Sequence, residues 1–250
     1  MRIGIKVGSS LLTNRRGEIK KEFISCVCSQ IVELIRAGNE VFLVTSGAVA
    51  SDHHQYRSKN LRAIVGMPKL MSFYLNCFEV YGMEAGLLLL TDQDLLERSI
   101  IPQRLLFEAF KNKIAMIINA NDGVDDEEIK ALALCADNDI LFKLVCLLVK
   151  VDLAIIGFDK AGIIGPSGRV IRFVKQSEVA QILTYVNYVP GLEHGGSGLG
   201  YGGQGMKTKI EVSSELVSNG IKVILAPGRQ YNFIRRAFAG EKNFGTIFIP

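Results

Sequence analysis

Two lysines, a run of acids and amides, and several turns of small residues carry the chemistry this chain can do. Lys6 lies in the apolar run from Ile3 to Val7, just before the turn Gly8-Ser9-Ser10. A charge inside a strand is costly unless it has a partner. A strand that ends in a Gly/Ser turn presents free backbone N–H groups, and such a nest binds phosphate. Lys6 therefore has two readings. It reaches a phosphate at the carboxyl end of a central strand, or it guards an edge strand against aggregation. The loop is not a Walker A loop, because G-x-x-x-x-G-K-[ST] occurs nowhere in the chain.

The other polar groups fall at similar places. Ser46-Gly47, Asn119 with Asp122, and Asp159 follow apolar runs. Asp137-Asn138-Asp139 and Gly205-Met206-Lys207-Thr208-Lys209 stand at helix starts. No histidine lies among them: His53 and His54 sit in a polar stretch and His194 in a glycine-rich one. No Ser-His-Asp or Cys-His arrangement suggests itself. Lysines, carboxylates, hydroxyls and glycine turns suit phosphoryl transfer, where catalysis is positioning and neutralisation of phosphate charge. A helix N-terminus preceded by glycines can add a phosphate site. Each feature also has a plain reading. Ser46 and Asp137 serve as helix caps, Asp139 as an acid favoured by a helix dipole, Asp122 as a turn former and Lys209 as a solvated lysine.

Elements that would hold these groups can be read from periodicity. Apolar spacing predicts a helix over 19–36 and a doubly buried strand over 41–44. A polar loop is expected over 51–60. A helix should start near Gly66-Met67-Pro68, since Pro fits the first turn, and run to about 81. A buried strand follows at 85–90, a cap at Thr91-Asp92, a helix at 102–112 and a strand at 114–118. Residues 127–136 fit a hairpin arm or a helix. An apolar helix spans 137–149 and a strand 153–156. Turns fill 159–168, a further strand lies at 170–174, and Ser177 caps a helix to 188. After the glycine-rich 191–205 come a helix at 206–218, a strand at 222–226, a helix at 232–238 and a strand at 246–249. Strands alternating with helices predict an α/β fold, a three-layer αβα sandwich on a mostly parallel sheet. Ligands in such sheets bind at the carboxyl ends of strands.

The totals agree. The chain has 250 residues, 48% of them hydrophobic, enough for one large domain or two lobes. A net charge of +4 with scattered signs gives no nucleic-acid stripe. The apolar runs are too short to span a bilayer. The five cysteines (26, 28, 77, 135 and 146) are read as reduced, mostly buried thiols, and with no signal-peptide pattern the expectation is a cytoplasmic protein.

The motifs Ile5-Lys6-Val7-Gly8-Ser9-Ser10, Val44-Thr45-Ser46-Gly47-Ala48-Val49-Ala50, Ile117-Ile118-Asn119-Ala120-Asn121-Asp122, Asp137-Asn138-Asp139 and Gly205-Met206-Lys207-Thr208-Lys209 occur in one order. With 88–92 and Gly245-Thr246-Ile247-Phe248, this arrangement resembles the amino acid kinase superfamily and, within it, the glutamate 5-kinase family, over nearly the whole chain. The resemblance implies ATP- and Mg²⁺-dependent phosphorylation of the side-chain carboxylate of L-glutamate, the step that opens proline synthesis. It implies that Lys6 and Lys209 bind the ATP phosphates and that Asp139 organises them. Ser46, Gly47, Asn119, Asp122, Asp137 and Asn138 would take glutamate. Gly8, Ser9, Phe158, Asp159, Gly203, Gln204, Gly205, Met206, Lys207 and Thr208 would join the two lysines around the nucleotide. It further implies a single kinase domain over 1–250, with an acceptor lobe to about 150 and a nucleotide lobe beyond, no carboxyl-terminal RNA-modification-type domain, and a homodimer or homotetramer. Four departures stand out. Ala120 replaces the family's acid. Gly202-Gly203-Gln204-Gly205-Met206 replaces Gly-Thr-Gly-Gly-Met. The segment from Phe158 to Pro166 is shorter than the family's nucleotide segment, and 130–137 looks a few residues long. The alternatives are another small-molecule kinase of the superfamily, or a non-catalytic binding protein with an altered ATP site.

Overall fold

The computed structural model of the chain describes residues 1–14, 16, 18–52, 57–123, 137–186 and 204–249. The expectations for 127–136 and 191–203 lie outside those residues, as do His53, His54, Cys135, His194 and Gly203.

The chain opens with strand β1 (Arg2–Val7), a single helical turn α1 (Ser9–Leu12), helix α2 (Lys21–Arg36) and strand β2 (Glu40–Thr45). A 3-10 turn at Val49–Ser51 precedes the long α3 (Lys59–Val80). Then come β3 (Ala85–Leu90), α4 (Asp92–Leu96), α5 (Ile100–Lys111), β4 (Ala115–Ala120), α6 (Asn138–Val149) and β5 (Leu153–Phe158). The remainder holds β6 (Ile163–Ile164), β7 (Val170–Ile171), β8 (Phe173–Lys175), α7 (Val179–Val186), α8 (Gln204–Ser218), β9 (Lys222–Pro227), α9 (Phe233–Phe238) and β10 (Thr246–Ile249).

Eight strands form one sheet in the order β3-β4-β2-β1-β5-β9-β10-β8, and β6 and β7 form a separate antiparallel ribbon. From β3 to β9 every neighbouring pair is parallel, so those six carboxyl ends share one edge. β10 runs antiparallel to β9 and parallel to β8. Strands buried on both faces read as unbroken apolar runs, and β5 is such a strand, with all six residues buried.

Side chains alternate faces along a strand, and the two cores follow that period. Ile3, Ile5 and Val7 join one apolar cluster with α2, α3 and α9 residues such as Ile31, Leu70 and Ile234. Phe42, Val44, Ala154 and Ile156 join the other, with Leu141 and Phe142 of α6 and Ile210 of α8. Lys6 alternates with Ile5 and Val7, so it faces the α6–α8 layer. At Gly4, on the same face, an added Cβ would meet Phe42 and Cys146 at 2.8 and 2.9 Å. The architecture is the three-layer αβα sandwich on a mostly parallel sheet that the sequence implies.

Several local expectations are corrected. β1 is central rather than an edge strand, which removes the edge-guard reading of Lys6. β3 is an edge strand, and Leu87 is 38% exposed, where a buried strand was expected. α3 begins two turns before Pro68: Ser58 caps it, its hydroxyl accepting from the Leu61 amide at 3.3 Å, and Pro68 lies inside. The expected polar loop over 51–60 begins with two buried residues, Ser51 and Asp52, and Asp52 pairs with Arg57 at 3.1 Å. The expected strand over 170–174 divides into β7 and β8. Ser177 does not cap α7; it lies in a 3-10 turn over Gln176–Glu178, where the Glu178 carboxylate accepts from the Lys175 amide at 2.9 Å. Asn232 stands outside its helix with φ +54°.

α3 packs on the turn after β2 backbone to backbone. A Cβ at Gly66 would lie 1.8 Å from the Ala48 carbonyl oxygen, so only glycine permits this approach. Among the described residues no helix is long and apolar enough to cross a membrane. Cys26, Cys28, Cys77 and Cys146 are free thiols.

Candidate functional site

The carboxyl edge of the parallel strands gathers most of the singled-out residues. Lys6, next to last in β1, projects toward the N-terminus of α6. That helix starts where it does because Asp137 caps it, its carboxylate accepting from the Asp139 amide at 2.8 Å. The cap puts Asp139 in the first turn, facing the sheet. Asp139 Oδ1 lies 2.7 Å from Lys6 Nζ, and Asp139 Oδ2 accepts from Lys209 Nζ, also at 2.7 Å. Lys209 comes from the first turns of α8, and its ammonium donates as well to the Gly205 carbonyl at 3.2 Å. Three residues far apart in sequence thus form one ionic cluster. Lys6 and Asp139 are 4% and 2% exposed.

The electrostatics follow from burial and from the count of charges. Burial disfavours the charged Lys6 and lowers its pKa; the Asp139 carboxylate opposes this and the Lys209 charge adds to it. Burial also works against the Asp139 carboxylate, but the two ammoniums outweigh it and hold its pKa below the usual range. Asp139 is therefore ionised at neutral pH, and the cluster of two cations and one anion carries an excess positive charge. A buried cluster of that sign can receive an anion.

Beside it, Ser46 directly follows β2 and its hydroxyl donates to the Val7 carbonyl at 3.2 Å, tying the two small-residue turns together. Gly47 follows with φ +104°, a conformation that favours glycine. Below them Thr45 and Tyr74 share a buried hydroxyl contact at 3.0 Å. Asn119 is buried at the end of β4. Its side-chain oxygen accepts from the Ala120 amide at 2.9 Å and its amide nitrogen lies 3.7 Å from Met67 Sδ. Asp122 is half-buried in the turn that follows. Asn138 brings a buried side-chain oxygen with no hydrogen-bond partner among the described residues. A buried acceptor without a donor is costly, so it suits a ligand that carries one. Gly8 closes the other side, its amide donating to the Gly157 carbonyl at 3.4 Å, and Ser9 opens α1.

Not every candidate joins. Phe158 ends β5 next to the edge, but its side chain belongs to the core and its carbonyl accepts from the Gly228 amide at 2.8 Å. Asp159 turns toward Lys160 and Arg229 at 3.9 and 3.7 Å. Met206 packs against the core, and Lys207 meets Glu211 at 3.7 Å on the exposed side of α8. Thr208 is half-buried on the same helix, which Gln204 and Gly205 open. Sequence reasoning passes over Gly157, whose contribution is a carbonyl, and Tyr74, whose hydroxyl looks like any core tyrosine. Neither leaves a signal in residue type or spacing. Among the described residues no group of three His, Cys, Asp or Glu side chains could hold a metal ion.

Comparison with known proteins agrees with this geometry. The model of the family described as "Amino acid kinase family" matches residues 1–227. A protein named glutamate 5-kinase from Caldanaerobacter subterraneus is 35% identical over 261 residues, covering 100% of this chain and 68% of its own. Glutamate 5-kinases from Trichlorobacter lovleyi and Shewanella oneidensis are each 34% identical, covering 100% and 99% of this chain and 67% of their own. The chain thus spans about two thirds of the length of these relatives. The structure of carbamate kinase from Giardia lamblia bound to AMP-PNP superposes with a TM-score of 0.67 at 14% identity, covering 99% of this chain and 98% of the other. That likeness is one of fold.

Proposed function

Since the chain belongs to the amino acid kinase family, we propose that it transfers the γ-phosphoryl group of ATP to the side-chain carboxylate of L-glutamate, giving glutamyl 5-phosphate and ADP. The observation that carries this reading is the Lys6–Asp139–Lys209 cluster, with one excess positive charge buried at the carboxyl edge of the sheet. The relatives named glutamate 5-kinase supply the acceptor. Opening proline synthesis follows from the product.

The chemistry asks little of the protein beyond placement. A glutamate side chain is already ionised at neutral pH, so no general base is needed. A carboxylate oxygen attacks the γ-phosphorus, the bond to the β,γ-bridging oxygen breaks, and the electron pair leaves with ADP. Charge builds on that bridging oxygen and on the transferring group. Lys6 and Lys209, prepositioned by Asp139, neutralise it without reorganising. Asp137, Asn138 and Asp122 line the acceptor side, where the orphan oxygen of Asn138 suits an ammonium donor. Ser46, Gly47 and Asn119 complete that side. Gly8, Ser9 and the start of α8 serve the phosphates.

Magnesium does not find a protein cage here. Both oxygens of Asp139 face lysines, and among the described residues no further group of His, Cys, Asp or Glu could hold the ion. Mg²⁺, if it takes part, would enter with the nucleotide and would add charge neutralisation to that of Lys6 and Lys209. On this reading residues to about 150 hold the acceptor and the remainder the nucleotide, in one domain. A homodimer or homotetramer in the cytoplasm is the companion expectation.

The test is to mix purified protein with ATP, Mg²⁺ and a panel of acidic amino acids, trapping any acyl phosphate with hydroxylamine. ADP release and hydroxamate formation dependent on glutamate are expected. Turnover of another acceptor would transfer the chain to a sister activity, and no turnover with any acceptor would leave a binding protein.

A further inference from the structure

We propose that Thr246 is a positioning residue for the nucleotide, acting through the β6–β7 ribbon. The Gly245-Thr246-Ile247-Phe248 motif has no part in the site described above. Yet Thr246 is fully buried, and its hydroxyl makes two hydrogen bonds to the ribbon. It accepts from the Ile163 amide at 2.9 Å and donates to the Ile171 carbonyl at 2.6 Å. Ile163 and Ile171 are opposite partners in that ribbon. The hydroxyl therefore bridges the rung between the two strands and anchors it to β10.

The surroundings are built for this approach. A Cβ at Gly162 would lie 2.8 Å from the Thr246 hydroxyl and 2.5 Å from Val170 Cγ1, so a side chain there would push the ribbon off. Arg172 donates to the Gly245 carbonyl at 3.2 Å and accepts at its own carbonyl from the Ile247 amide at 2.8 Å. Thr246 itself sits opposite Leu225 of β9.

The ribbon begins four residues after Asp159. β5 and β9 lie on one side of Lys6 and the acceptor strands β2 and β4 on the other. With the acceptor assigned to the residues before about 150, as proposed above, a nucleotide with its phosphates on Lys6 and Lys209 extends across the β5–β9 side, toward that ribbon. The inference rests on the kinase reading of the site. Thr246 then sets the height of the wall over the nucleotide and leaves the acceptor untouched.

The experiment compares Thr246→Val and Thr246→Ser with the parent, by titration with ATP and by steady-state kinetics in both substrates. Thr246→Val keeps the shape but leaves the Ile163 amide and the Ile171 carbonyl without their partner. Loss of a buried hydrogen bond is then expected to raise the Kd and KM for ATP about tenfold. The KM for glutamate should stay within about twofold, and Thr246→Ser should restore ATP affinity. Amide exchange at Ile163 should quicken in Thr246→Val alone. Arg172→Gln, at a partly exposed position, loosens the same corner and should weaken ATP in the same direction; it decides the matter if Thr246→Val does not fold. Unchanged ATP affinity in the folded variants, or equal losses for both substrates, would overturn the proposal while leaving the kinase reading intact. A parent that binds no ATP would overturn both.

Discussion

Lys6 shows how much one residue can carry. A lysine within an apolar strand has two readings in the sequence, and only the strand order decides between them. In the centre of the sheet Lys6 is buried against Asp139, the setting the proposed reaction needs for a phosphate-binding cation. Lys6→Met keeps most of the volume and removes the charge. Turnover at saturating ATP and glutamate is expected to fall by a factor on the order of a hundred to a thousand. The melting temperature should move little, because Asp139 keeps Lys209 and a desolvated charge is removed. A folded variant with near-normal turnover would take Lys6 out of the mechanism. The pH dependence follows from the same burial. An unfolded lysine holds its proton to about pH 10.4, whereas Lys6 releases it earlier. The alkaline limb of kcat/KM for ATP should therefore lie below that value and should vanish in Lys6→Met. Over that window the unfolded chain binds more protons at this residue, so its contribution to stability rises with pH even as activity falls. Asp139 has the opposite pH limit. Its lowered pKa gives a stabilisation that is complete above about pH 3.9 and lost as pH falls through the folded value. On the acceptor side, Asp122→Ala should raise the KM for glutamate far more than that for ATP, through loss of a counter-charge to the substrate ammonium. Equal effects on both would assign Asp122 to structure.

Elements position these residues through contacts that a sequence shows unevenly. Gly66 is the sharpest case, since α3 meets the turn after β2 at the Ala48 carbonyl. Gly66→Ala must separate the two, and overpacking of this kind typically costs about 1–3 kcal/mol. A lower melting temperature and a raised KM for glutamate are expected, with the KM for ATP little changed; a variant as stable as the parent would mean that α3 slides freely. Strands and amphipathic helices were legible because apolar period is a local property, and α2, β5 and α6 fall close to their expected bounds. Misread elements are those fixed by distant partners. Pro68 reads as a helix start, yet Ser58 supplies an earlier cap. Asn232 reads as helical, yet α9 is opened by Gln30, whose side-chain oxygen accepts from the Ile234 amide 204 residues on, at 3.0 Å. β3 reads as buried because a run of leucines looks the same at an edge as at a centre. The motif order placed Lys6, Asp139 and Lys209 together only through family resemblance; spacing alone carries no such information.

The whole molecule is knit across the sheet. Each apolar cluster draws from both ends of the chain: Phe42 and Val44 share one with Val223 and Leu225, and Ile3 and Ile5 share the other with Ile224 and Ile234. Among the described residues no seam separates those before about 150 from those beyond it within these cores. Heat should therefore unfold the protein in one step, with equal calorimetric and van't Hoff enthalpies; two resolved transitions would divide it into separate units. The central place of β1 also sets an order of events in time. Its pairing with β2 closes early, but Ile3 meets Leu153 only after the intervening chain has been made and gathered in. Lys209 lies farther along the chain again, so its joining the Lys6–Asp139 pair spans the longest separation in the cluster. Distant pairings of this kind form slowly, and chains of this size pass through partly ordered forms. A half-made molecule can hold native helices and one side of the sheet while Lys6 has no counter-ion. Recovery of catalysis on refolding is therefore expected to lag recovery of secondary structure, which stopped-flow circular dichroism beside an activity assay would check.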